Sequence, residues 1–191
     1  MRLALGKDDK DMDGETANHK AALGRPLIVS YSYTGHTQRI AQELQRLTNG
    51  DLCDIYPWQP YPMAFSELLC QVRQEIQNGY HPRLLPGTVS PAGYTVILAG
   101  SPNWCGTIAP PLASWLAGHD LSGKLILPFY SHCGGVPCDF RRDIARLCPR
   151  ADVREALGVM EDGMENQTEA LRAWLRRAGL TDAVVSGGAH A

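Results

Sequence analysis

Apolar residues along this chain fall into short continuous runs that alternate with longer segments of regularly spaced apolar residues. The runs are brief and rich in β-branched residues, as in buried strands, whereas a spacing of three or four is typical of helices. Strands are predicted at residues 27–29, 52–56, 95–100, 125–130 and 153–160. Helices are predicted where apolar residues recur between and after these runs, at 40–47, 65–76, 108–116, 140–147 and 168–178.

The alternation of strands and helices determines the expected fold class. Strands joined through helices run parallel, and the helices then cover both faces of the sheet. For 191 residues we predict an α/β fold of three layers, with a doubly wound, five-stranded parallel sheet in the order 2-1-3-4-5. The loops after strands one, three and four then open at one edge of the sheet, near the switch point where such sheets bind ligands.

Composition indicates one globular domain between two polar ends. Residues 1–24 are rich in Asp, Lys and Gly, lack an apolar targeting segment, and are predicted to be a disordered tail. Residues 181–191 are small and polar and are predicted to be a loose tail. The domain itself is predicted at residues 25–180.

Charge and cysteine content narrow the expected partners and surroundings. The net charge is only -2, so neither nucleic acid nor a membrane is an expected partner. No apolar run approaches the roughly 20 residues that span a bilayer. The six cysteines include no C-x-x-C pair, which argues against zinc-ribbon and thioredoxin sites and favours reduced thiols in the cytoplasm.

The loop after the first predicted strand carries the most informative residues. It runs Ser32-Tyr33-Thr34-Gly35-His36-Thr37 and leads directly into a predicted helix. The free amides and dipole of a helix start, with three hydroxyl groups, suit a phosphate held without Lys or Arg. A plain loop capped by Thr34 or Thr37 is the alternative. The loop has neither the Gly-Lys-Ser/Thr of a Walker loop nor a G-x-G-x-x-G pattern.

The pattern Ser32-x-Thr34-Gly35-x-Thr37 resembles the phosphate loop of flavodoxins, which holds the phosphate of FMN. Two later segments, 100–111 and 128–135, resemble the second and third flavin loops of a group of short-chain flavodoxin-like proteins. The resemblance covers about residues 25–180 and implies a flavodoxin-like fold with non-covalently bound FMN. The sequence departs from the family pattern in one residue of each loop: His36, Cys105 and Cys133.

The resemblance also implies which residues bind the cofactor. The first loop would hold the phosphate, Trp104 would lie against the flavin ring, and the third loop would approach the ring edge where Gly134 and Gly135 carry no side chains. The predicted cofactor-binding residues are Ser32, Tyr33, Thr34, Gly35, His36, Thr37, Ser101, Pro102, Asn103, Trp104, Cys105, Gly106, Ser131, His132, Cys133, Gly134 and Gly135. No catalytic side chain and no metal ligand is predicted.

Several of these residues also have a purely structural interpretation. Trp104 is alternatively a packed loop aromatic, Tyr33 a surface residue, and His132 a structural hydrogen-bonding group rather than a proton donor. The cysteines are interpreted as inert thiols. A metal site at His132, Cys133 and Cys138 would lack a fourth ligand and has poor spacing.

Two classes of function follow from the resemblance. The first is an FMN protein that transfers electrons, either as a carrier for a redox partner protein or as an oxidoreductase that takes hydride from NAD(P)H and reduces a quinone or another small acceptor. The second is a binding module of the same fold without redox activity. The sequence leaves open the electron donor and acceptor, whether the chain is a carrier or an enzyme, and whether it forms a homodimer.

Overall fold

The computed structural model describes residues 24–134, 136–161 and 167–180. The strands are β1 (Leu27–Ser30), β2 (Asp51–Asp54), β3 (Val96–Trp104), β4 (Thr107–Ile108), β5 (Leu125–His132), β6 (Asp152–Val153) and β7 (Leu157–Met160). The helices are α1 (His36–Thr48), α2 (Phe65–Gln77), α3 (Pro110–Ala117), α4 (Phe140–Leu147) and α5 (Thr168–Arg177), with a short 3-10 turn at Pro91–Gly93. Each predicted helix is present.

The sheet has the predicted order and direction. Its strands follow the order β2-β1-β3-β5-β6, and β7 also pairs with β5. These pairs are all parallel. Because β5 is the fourth predicted strand and β6 with β7 the fifth, the order 2-1-3-4-5 is confirmed. The carboxyl ends of β1, β3 and β5 therefore meet at one edge.

The fifth predicted strand is not continuous. Val153 pairs with Ile126 and Leu157 pairs with Phe129, so this strand advances four residues while β5 advances three. The extra residue must bulge out of the ladder, which divides the strand into β6 and β7. The prediction of one strand over 153–160 is wrong at this point.

The second difference lies at the end of β3, where the sequence predicts a loop. Here β3 continues to Trp104 and turns back into β4, with Asn103 opposite Ile108 and Trp104 opposite Thr107. The two turn residues, Cys105 and Gly106, have φ values of 53° and 86°. Positive φ at both positions is typical of the tight turns that join antiparallel strands.

Helices cover both faces of the sheet, as predicted. On one face α1 and α5 bury their apolar residues against a core that includes Ile28, Leu98 and Leu127. On the other face α2, α3 and α4 pack against a core that includes Val29 and Ile97. Successive strand residues point to opposite faces, so the same continuous apolar runs supply both cores.

Helix α2 differs from the prediction at its first residue. The sequence predicts one core-facing stripe of Phe65, Leu68, Leu69, Val72 and Ile76, but of these only Leu68 and Val72 are buried, and Phe65 is 75% exposed. Phe65 is the first residue of the helix, and its side chain lines the cleft described below. Asn78 and Gly79 end the helix, with Gly79 at a φ of 59°.

Two predictions fall on the ends of the chain. Apart from Gly24, the predicted tails at 1–24 and 181–191 lie outside the described residues. Within the described part of the chain, none of the helices has the length and apolar content required to cross a bilayer.

Candidate functional site

The first loop joins β1 to α1 and presents unused hydrogen-bond donors. Gly35 precedes the helix with a φ of 89°, and no side chain caps the helix start. Among the described residues, the amides of 33–38 donate no hydrogen bonds. The alternative of a loop capped by Thr34 or Thr37 is therefore wrong. A helix start with free amides is a general anion-binding feature.

Two side-chain atoms in this loop are buried without a hydrogen-bond partner in the described structure. They are Ser32 Oγ and His36 Nδ1. Leaving a buried polar atom unsatisfied costs about 1–3 kcal/mol, so such atoms point to a ligand. Both atoms can donate to a phosphate oxygen, which fits the phosphate predicted for this loop.

Thr37 and Ser131 connect the first loop to the third. Their hydroxyl oxygens lie 2.9 Å apart, and both residues are buried. This hydrogen bond joins the first turn of α1 to the end of β5. The two hydroxyl groups are therefore engaged within the protein, whereas the side chain of Thr34 is exposed.

The second loop is the hairpin between β3 and β4, and Asn103 organises it. Asn103 Oδ1 accepts from the Gly106 amide, and Asn103 Nδ2 donates to the Val136 carbonyl, both at 3.0 Å. Ser101 is fully buried, and its Oγ accepts from the Ala109 amide at 3.0 Å. The hairpin is thus held against the third loop, while the hydroxyl of Ser101 faces the protein interior.

The third loop follows β5. The Gly134 amide donates to His132 Nδ1 at 3.1 Å, and Gly134 has a φ of 96°. This contact agrees with the structural interpretation of His132. Cys133 is exposed. The predicted contact at Gly135 lies outside the described residues.

Trp104 lies at the centre of an aromatic cluster. Its ring centroid is 5.0 Å from that of Tyr61, 5.4 Å from Tyr31 and 5.8 Å from Tyr33, each with the planes nearly perpendicular. The Tyr33 hydroxyl donates to the Pro62 carbonyl at 2.6 Å. Edge-to-face aromatic contacts and anchored hydroxyl groups hold these rings in place. Trp104 is thus both packed in the loop and part of a site wall.

Tyr61 is anchored by a buried carboxylate. Its hydroxyl donates to Glu75 at 2.5 Å, and both residues are buried. Burial, which is the larger cause, and this hydrogen bond raise the pKa of Tyr61 well above its ordinary value. Burial also raises the pKa of Tyr31. Both phenols, Tyr31 and Tyr61, therefore stay neutral at physiological pH.

The three loops converge on one cleft of about 300 Å³. Nine of the predicted residues line it: Tyr33, Thr34, Pro102, Asn103, Trp104, Cys105, Ser131, His132 and Cys133. Ser32, Gly35, His36, Thr37, Gly106 and Gly134 lie in the flanking loops. That any of these residues binds a cofactor stays a prediction.

Sequence analysis missed five residues that line the cleft. They are Phe65, Leu68, Leu69, Val72 and Glu161. The first four belong to α2, whose apolar stripe the sequence predicts to pack wholly in the core. Glu161 directly follows β7, so it lies at the same carboxyl edge as the three loops, and that position was the available signal.

The cleft can hold a flat apolar group beside a polar, anionic one. Its walls are mostly aromatic and aliphatic, and among the described residues that line it none is Lys or Arg. The donors of the first loop lie at the helix start beside it. Within the described ranges, no group of three or more His, Cys, Asp or Glu residues is placed to hold a metal ion.

Thiol accessibility provides a first test of this arrangement. Cys70, Cys105 and Cys133 are exposed, whereas Cys53 and Cys148 are buried, and burial raises the pKa of Cys148 to about 11. Since the thiolate is the reactive form, a disulfide reagent at mildly alkaline pH should label the exposed three rapidly. Mass spectrometry of tryptic peptides would identify them. Rapid labelling of Cys148 in the folded protein would contradict the packing of α4.

The fold is shared with several proteins of known structure. One from Bacteroides eggerthii DSM 20697, provisionally assigned as a flavoprotein, is 24% identical, with a TM-score of 0.69 over 81% of this chain and 98% of that chain. A second, from Bacteroides uniformis ATCC 8492 with the same provisional assignment, is 20% identical, with a TM-score of 0.69 over 80% and 98%. A flavoprotein from Lactobacillus acidophilus NCFM, solved in complex with FMN, is 18% identical, with a TM-score of 0.61 over 76% and 98%.

Sequence comparison identifies the family. Among curated proteins, none matches this chain significantly. The family model described as flavodoxin matches residues 25–178. That span includes β1 through α5 and all three loops of the cleft. The chain therefore belongs to the flavodoxin family.

Proposed function

We propose that this protein binds FMN non-covalently in the cleft and transfers electrons through it. The observation that carries the proposal is the convergence of the three loops on one cleft, with an aromatic wall next to free anion-binding donors. Membership of the flavodoxin family and the shared fold of the FMN-bound Lactobacillus acidophilus flavoprotein support it.

Different residues of the cleft would bind different parts of FMN. The amides of 33–38, with Ser32 Oγ and His36 Nδ1, would bind the phosphate. Trp104 and Tyr33, with the aliphatic residues of α2, would hold the ring and exclude water from it. Backbone groups of 131–134 would bind the polar edge of the ring. The flavin supplies the electron chemistry, while the protein sets its environment.

Electron transfer requires a partner that reaches the mouth of the cleft. We infer either a redox partner protein or a small acceptor such as a quinone, reduced at the expense of NAD(P)H. The modest net charge of -2 gives little long-range steering, which favours an enzyme or an apolar docking face over a charge-steered carrier.

A titration of the purified protein with FMN tests the proposal. Binding in an ordered apolar cleft should perturb the flavin absorption bands and saturate at one FMN per chain. Stopped-flow mixing with NADPH then separates the alternatives: rapid bleaching of the flavin indicates an enzyme, and no bleaching indicates a carrier. An unperturbed flavin spectrum at every protein concentration would instead favour a binding module without redox activity.

Bound FMN should also protect two cysteines from modification. Cys105 and Cys133 are exposed and line the cleft, so a bound ring would cover them. Cys70 is also exposed but is not among the residues that line the cleft, so it serves as the internal control. We expect saturating FMN to slow labelling of Cys105 and Cys133 relative to Cys70, because a bound ring would block access of the reagent to their thiolates. If FMN leaves the labelling rates of all three cysteines unchanged, the ligand binds elsewhere.

A further inference from the structure

His36 and Glu161 form a pair across the end of the cleft. His36 is the first residue of α1, and Glu161 follows β7. His36 Nε2 lies 3.6 Å from Glu161 Oε2, and about a quarter of each side chain is exposed. Glu161 lines the cleft, so the pair lies between the phosphate-binding loop and the rest of the site.

The other nitrogen of the His36 ring has no hydrogen-bond partner among the described residues. Nδ1 is buried without a partner, as is Ser32 Oγ in the same loop. A phosphate bound at this loop would accept a hydrogen bond from Nδ1, while the Glu161 carboxylate lies at ion-pair distance from Nε2. An imidazole carries both N–H groups only in its cationic form. The imidazolium is therefore the form of the ring that would attract both a bound phosphate and the Glu161 carboxylate.

No other cation competes for this role in the described part of the cleft. The lining residues include neither Lys nor Arg, and the titratable ones besides Glu161 are Tyr33, Cys105, His132 and Cys133. On α1 itself, Arg39 is exposed and Arg46 is bonded to Glu43. Towards α5, Glu43 also accepts a hydrogen bond from the Thr168 hydroxyl, and Arg172 interacts electrostatically with the same carboxylate. His132, the other imidazole in the described part of the cleft, already accepts a hydrogen bond from the Gly134 amide in the third loop, whereas His36 belongs to the first loop, where the phosphate is proposed to bind.

We propose that Glu161 positions His36 as a cationic phosphate ligand, and that this pair makes the site selective for FMN over riboflavin. The proposal rests on FMN binding in the cleft. Glu161 acts only through His36: alone, a carboxylate beside a phosphate would repel it. Glu161 is therefore expected to strengthen FMN binding when His36 is present and to leave it unchanged or weaken it when His36 is replaced.

The test compares the affinities of FMN and riboflavin by fluorescence titration. His36→Asn should weaken FMN binding about tenfold, the effect of losing one charge-assisted hydrogen bond, and leave riboflavin binding unchanged. Glu161→Gln should weaken FMN binding about threefold in the native background. In the His36→Asn background, Glu161→Gln should leave the affinity for FMN unchanged or raise it, because the substitution then removes only the repulsion between the carboxylate and the phosphate. Glu155→Gln, an exposed carboxylate outside the cleft, controls for net charge.

Riboflavin lacks the phosphate and therefore reports on the integrity of the cleft in each variant. An equal loss of FMN and riboflavin affinity would show a general structural role and overturn the proposal. Weakening of FMN binding by Glu161→Gln in the His36→Asn background would also overturn it. If the native protein binds neither flavin, the proposed function itself fails. If it binds both equally well, cofactor binding stands and the selectivity proposal fails.

Discussion

Replacing Trp104 with alanine should weaken FMN binding by about 30-fold, or about 2 kcal/mol, the loss typical of a central aromatic contact. Trp104 lines the cleft and packs edge-to-face against three tyrosines. The substitution would remove a wall of the ring site and also loosen Tyr33, which lines the same cleft. Titration of FMN fluorescence with the apoprotein measures the affinity directly.

Two variants separate the loss of a wall from general loosening. Cys138→Ala changes a half-buried residue next to the third loop that does not line the cleft, and we expect little change in affinity. Trp104→Phe keeps an aromatic wall and should recover most of the binding. Equal affinities for Trp104→Ala and Cys138→Ala would contradict the placement of the flavin ring.

Gly100→Ala should destabilise the fold by about 3 kcal/mol, the upper end of the usual cost of overpacking a core. Gly100 lies opposite Phe129 in the pairing of β3 with β5. A Cβ atom at Gly100 would lie 2.1 Å from Phe129 Cζ, and Phe129 is fully buried. The ring cannot move away without displacing α1 or α5 from the sheet. Urea unfolding of the apoprotein measures the change.

Gly93→Ala is the matched control, because a Cβ there meets no atom within 4 Å. We expect its stability to lie within about 0.5 kcal/mol of the native value. Phe129→Ala should relieve the clash, so the double variant with Gly100→Ala should be more stable than the sum of the two single effects. Strict additivity would show that the ring and the glycine do not share this space.

The order of the sheet and the convergence of three loops could be predicted from sequence because they depend on few rules. Continuous apolar runs indicate strands buried on both faces, and their alternation with helices makes them parallel. Once the order is set, the residues after β1, β3 and β5 must lie at one edge. The positions of Thr34, Trp104 and Cys133 along the cleft follow from that alone.

Other features depend on contacts between distant segments, which periodicity does not encode. The hairpin at Cys105 and Gly106 requires two residues with positive φ, and a cysteine gives no signal for that conformation. The hydrogen bond between Thr37 and Ser131 joins residues 94 positions apart. The bulge that divides the last strand into β6 and β7 is likewise not revealed by an apolar pattern.

A crystal structure of the protein grown with FMN tests the central claim most directly. We expect the phosphate against the amides of 33–38, with His36 and Ser32 as side-chain ligands, and the ring beside Trp104 with one edge toward Gly134. A flavin found elsewhere on the molecule, or this cleft filled by the protein's own side chains in the presence of saturating FMN, would contradict the account.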